Sequence, residues 1–100
     1  MKLWIDNRRS APEGYLEIKN VNGARGVIQY LEENYHPKYA PCHKIDLIDI
    51  AHDGLPDYIK LLDWLEETGR NYPIRIHSMN VVGRENMLRI CRKNNWTILN

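Results

Sequence analysis

Three short apolar runs constrain what this chain can fold into: KLWID at 2–6, IDLIDIA at 45–51 and YPIRIH at 72–77. Each is rich in β-branched or aromatic residues and of strand length, as expected for strands inside a sheet. Two weaker runs flank them. YLEIK at 15–19 alternates polar and apolar residues and reads as an edge strand with one wet face, and WTIL at 96–99 reads as a final strand. Elsewhere the period is helical: Val21, Ala24, Val27, Ile28, Leu31 and Tyr35 share one helix face, as do Tyr58, Leu61, Leu62 and Leu65, and then Met87, Ile90 and Cys91. Asn20 is placed to cap the first helix, Pro56 to sit in the first turn of the second, and Gly69 to close it. NRRSAPEG at 7–14 and HPKYAPCHK at 36–44 have no period and are loops.

The resulting order is strand, strand, helix, strand, helix, strand, helix, strand. Strands that alternate with helices predict a mostly parallel α/β sheet with right-handed crossovers and helices on both faces. Ligands of such sheets bind beyond the carboxyl ends of the strands. Asp6, the segment 51–53 and the segment 77–80 each follow an interior strand at that end, so three polar loops should converge there.

Size and charge narrow the function. With 100 residues, 43% of them hydrophobic, the chain fits one domain spanning 1–100. Fourteen basic against thirteen acidic residues argue against a general nucleic-acid binder. Cys42 and Cys91 are too few for a disulfide framework and fit a reducing cytoplasm, and no apolar run is long enough for a signal peptide or a membrane span.

The candidate residues each carry a structural alternative. His52 and His77 end different strands and could act as general acid and base, or simply hydrogen-bond backbone. Asp6 and Asp53 could orient them, and Asp53 could instead cap the next helix. Asp49, within its strand on the same side as Ala51, is an acid in need of a partner. Arg9, beside Arg8, offers a fork for a phosphate. Ser78 is a hydrogen-bond donor, Asn80 a helix cap, and Gly83 allows an anion to approach the helix N-terminus closely. His36, Cys42 and His43 lack the spacing of a zinc centre, and Asp6 and Asp53, which could hold magnesium, are too few to compete strongly with water for it, so neither a metal nor a cofactor is expected.

LWIDNRRSAP at 3–12, IDLIDIAHDG at 45–54, YIKLLDWLEE at 58–67 and above all IHSMNVVGRENM at 76–87 resemble the cyclic-phosphate-processing receiver domains. The resemblance implies a receiver-like (flavodoxin-like) three-layer fold, with a mostly parallel five-stranded sheet ordered 2-1-3-4-5. Carried over by position, Asp6, Arg9, His52, Asp53, His77, Ser78, Asn80, Gly83 and Asn86 match the family pattern. Asn7 and Ala51 stand where members usually have acids, and Ser10 stands where they have proline. Phosphotransfer of the two-component kind is therefore not expected.

The resemblance implies a phosphate-containing small molecule or nucleotide as partner. His52, His77, Asp6 and Asp53 would be catalytic, and Arg9, Ser78, Asn80, Gly83 and Asn86 would bind phosphate, in a phosphoesterase acting on a cyclic phosphate or in a binder of one. The alternative is a non-catalytic pseudo-receiver that works through a protein partner.

Overall fold

The computed structural model describes residues 1–51, 58–78 and 80–99. Five strands form one parallel sheet: β1 Lys2–Ile5, β2 Tyr15–Ile18, β3 Leu47–Ile50, β4 Ile74–Ile76 and β5 Ile98–Leu99. Their order is β2-β1-β3-β4-β5, so the three most apolar runs lie inside and the two weaker ones at the edges. Three helices connect them, α1 Val21–Asn34, α2 Ile59–Glu67 and α3 Val81–Lys93. A single 3-10 turn, Pro41–His43, interrupts the loop before β3. Pro56 lies outside the described residues.

The helix ends follow local chemistry. Asn20 accepts from the Gly23 N–H at 2.6 Å and starts α1. Gly69, at φ +69°, ends α2: its N–H donates to Glu66 O, and the Arg70 N–H donates to Leu65 O. This double closure needs a residue in the left-handed region, where glycine is unstrained. Asn95 repeats the device after α3 at φ 56°, with Trp96 N–H donating to Cys91 O. Tyr35, expected on the α1 stripe, falls just past the helix and is exposed.

Register aligns Leu3 with Ile48, Ile5 with Ile18 and Ile50, and Ile50 with Ile76, which places these side chains on one face of the sheet. That face packs against Ala24, Ile28 and Leu31 of α1, Leu61, Leu62 and Leu65 of α2, and Met87, Leu88 and Cys91 of α3 in a single core. The opposite face carries Lys2, Trp4, Tyr15, Glu17, Asp49 and Arg75.

Helices were expected on both faces, and here the structure differs. The crossovers from β2 to β3, β3 to β4 and β4 to β5 all step the same way across the sheet, so right-handedness sends all three helices to one face. Only the β1 to β2 connection runs the other way, and residues 6–14 form no helix. Among the described residues the third layer is this loop alone. It is tied to the sheet by Trp4 Nε1–H donating to Arg9 O at 3.0 Å and by the Ala11 N–H donating to Glu17 Oε1 at 3.3 Å.

Candidate functional site

At the carboxyl edge, on the face without helices, the His77 ring sits between two carboxylates. Nδ1 is 2.6 Å from Asp49 Oδ1 and Nε2 is 3.0 Å from Asp6 Oδ2. Both acids are almost fully buried, each with 1% of its surface exposed. Both ring nitrogens are thus engaged by carboxyl groups, which fixes the plane of the imidazole. The Trp4 indole stacks on the ring with centroids 3.7 Å apart and planes 9° from parallel.

The backbone positions all of this. Trp4, Asp49 and Arg75 are register neighbours on β1, β3 and β4, and His77 follows β4 by one residue. The His77 N–H donates to Ile50 O at 3.0 Å, continuing the ladder past the end of β4 and fixing the ring over Asp49. Arg75 Nε stands 4.0 Å from Asp49 Oδ2 and balances part of the buried charge.

Asp6 is held still more fully. Its Oδ1 accepts from the Arg8 N–H at 2.7 Å and the Arg9 N–H at 3.2 Å, and its Oδ2 accepts from Arg9 Nη1 at 3.2 Å. Burial pushes the Asp6 carboxyl pKa up, but the Arg8 N–H, His77 and the Arg9 N–H together outweigh it and hold the pKa below the ordinary value. The Arg9 side chain, bonded to Asp6, remains 41% exposed.

Trp4, Arg9, His77 and Ser78 line a shallow recess of about 220 Å³. That is below the ~300–1,000 Å³ of whole small-molecule pockets. It is the size of a subsite rather than of a complete pocket.

The sequence-derived residues are brought together in part. Asp6, Arg9, His77 and Ser78 meet at the recess. Asn80 acts as the α3 cap: its Oδ1 accepts from the Gly83 N–H at 3.0 Å, and its own N–H donates to Ser78 Oγ at 3.0 Å. Gly83 is buried, and its N–H is spent on this cap. Asn86 is exposed one turn further along α3 and does not line the recess. His52 and Asp53 lie outside the described residues. Asp49 has the partner its strand position required, and Trp4 and Arg75 join the site without having been singled out. The signal for both was period-two alternation, which puts Trp4 on the face of Asp6 and Arg75 on that of His77.

The receiver-like strand order and a polar site at the strand ends agree with a family comparison. Residues 1–93 match the model of the cyclic-phosphate processing receiver domain. The chain belongs to this family. Searches of curated proteins and of solved structures return no match. For a member of the cyclic-phosphate processing receiver domains, the carboxyl edge is the place to look for the processing site. Among the described residues no helix is long and apolar enough to cross a membrane.

Proposed function

We propose that this receiver domain binds the phosphate of a cyclic phosphate or nucleotide at the Trp4–Arg9–His77–Ser78 recess and uses His77 to move a proton during its processing. The observation that carries the reading is the imidazole held between two buried carboxylates while it lines the recess beside a half-exposed guanidinium. A buried acid on Nδ1 orients the ring, as a proton-transferring imidazole requires. Arg9 gives the anion a charge-assisted contact, and Asp6 preorganises it. Ser78 adds a polar wall.

Opening a cyclic phosphate breaks one P–O bond. Water attacks phosphorus, the departing ribose oxygen takes a proton, and the attacking water loses one. His77 would make the first transfer from Nε2, which must leave Asp6 Oδ2 to do so. His52 serves as its counterpart for the second, and Asp53 orients it. The two free cysteines, Cys42 and Cys91, suit a reducing cytoplasm as the setting.

A second reading, docking of a protein partner, is favoured by Val81 and Val82, which are 75% and 72% exposed at the start of α3. A thermal-shift and calorimetry panel of 2′,3′-cyclic and 3′,5′-cyclic nucleotides, nucleoside monophosphates and inorganic phosphate separates the two. Binding of a phosphate ligand raises the melting temperature. Arg9→Ala should weaken it by about tenfold or more, the worth of a lost charge-assisted bond. On a substrate that is turned over, His77→Ala should cut the rate by about a hundredfold or more. A protein that neither binds nor hydrolyses any member of the panel leaves the docking reading standing.

A further inference from the structure

A cavity of about 510 Å³ lies at the opposite edge of the sheet. It opens between the C-terminal end of α1, the loop leading into β3 and the loop leading into β4. Its size is that of a complete small-molecule site. The walls are largely apolar: Ile45, Pro73 and the rings of Tyr35 and Tyr72.

Its charges resolve into satisfied and unsatisfied groups. Glu32 is fully engaged, accepting from Arg70 Nε at 3.0 Å, from Arg70 Nη2 at 2.9 Å and from the Tyr72 hydroxyl. Asp46 accepts from the Met1 ammonium at 2.6 Å. His43 Nδ1 lies 3.0 Å from Asn34 O, an acceptor only, so the hydrogen sits on Nδ1 and Nε2 is the nitrogen left over. The Lys44 ammonium, the Asn71 amide and the Tyr35 hydroxyl have no hydrogen-bond partner among the described residues. Both acids are thus spoken for: Asp46 feels both the Met1 ammonium and Lys44, so two ammonium groups face one carboxylate and leave this wall net cationic.

We infer that this cavity is a second ligand site, for a small aromatic monoanion. The ring lies against Tyr35, Tyr72 and Pro73, and the anionic group is met by Lys44 and the Asn71 amide. A cationic ligand has no uncompensated carboxylate to meet, and a neutral one gains the aromatic packing without the charge-assisted bond. The site does not depend on the reading of the carboxyl edge.

The test is a set of ring-matched probes, benzoate, phenyl phosphate, benzamide and benzylamine, titrated into the intact protein and followed by amide chemical shifts. Benzoate or phenyl phosphate should perturb the amides of 43–46 and 71–72, with benzamide and benzylamine weaker by about tenfold or more. Lys44→Gln, an exposed position whose loss spares the core, should erase that preference while leaving the fold and the melting temperature intact. The two anions also distinguish carboxylate from phosphate as the preferred head group. Equal or tighter binding of benzylamine, shifts confined to 77–83, or no saturable shift at millimolar probe would each overturn the proposal.

Discussion

Replacing Asp49 by asparagine removes a charge from the interior without creating a cavity, which makes it the sharpest probe of the His77 clamp. Two losses follow from the geometry. The bond to His77 Nδ1, 2.6 Å in the native protein, changes from charge-assisted to ordinary, a difference of about 1 kcal/mol. The new amide nitrogen takes the place of Oδ2, where it faces the Arg75 guanidinium at 4.0 Å, donor against donor. An unsatisfied buried donor costs about 1–3 kcal/mol. The sum, about 2–4 kcal/mol, should lower the melting temperature by about 8–32 °C for a domain of this size. Differential scanning calorimetry reads the loss, and the His77 ring proton shifts report whether the imidazole has turned from its place on Trp4. In a His77→Gln background the same change should cost about 1 kcal/mol less, the part that belongs to the shared bond. A variant that melts within about 2 °C of the parent, with unmoved His77 resonances, would refute the view that Asp49 holds the ring.

Two further outcomes follow from the charged networks. The Asp6 pKa is depressed in the folded protein, so between the folded and unfolded values the unfolded chain binds more protons; the stability from Asp6 is present above about pH 4 and is lost as pH falls through the folded value. Urea melts from pH 6 to pH 2.5 should therefore show a steeper loss for the native protein than for Asp6→Asn. Arg70→Met strips Glu32 of its fork and removes the guanidinium carbon that stands 4.3 Å from the Trp64 ring, and should cost about 1 kcal/mol in the same melts at pH 7, an effect that high salt should shrink.

The strand order and the position of the site were legible because each interior run ends in a polar residue and period-two alternation says which side chains share a face. Asp6 and His77 were placed on that logic, and both lie at the carboxyl edge. Alternation could not say that Asp49 and His77 touch. That contact depends on the β3 to β4 register, which pairs Asp49 with Arg75 and so sets the ring two residues further on above it. Trp4 was not singled out, since nothing local distinguishes an indole packed on aliphatic chains from one stacked on an imidazole. Asn80 and Gly83 were visible as an anion-binding helix start and equally as a cap, and the structure spends them on the cap. The single helical layer was implicit in the lack of any helical segment between β1 and β2. The rule that places helices on both faces of such a sheet assumes that every crossover carries one.

The central position of β1 has a consequence for synthesis. One edge of β1 pairs with β2, where Lys2 meets Tyr15, but the other pairs with β3, where Lys2 meets Leu47 some 45 positions later. Tyr15 and Leu47 are 32 positions apart, so at about 5–20 residues per second the second edge of Leu3, Trp4 and Ile5 has no strand to pair with for roughly 1.6–6.4 s after the first is made. An apolar strand with one open edge is a template for pairing with other chains. The interval is set by chain order rather than by stability, so raising the melting temperature would not shorten it, whereas slower translation of the stretch between β2 and β3 would lengthen the exposure directly.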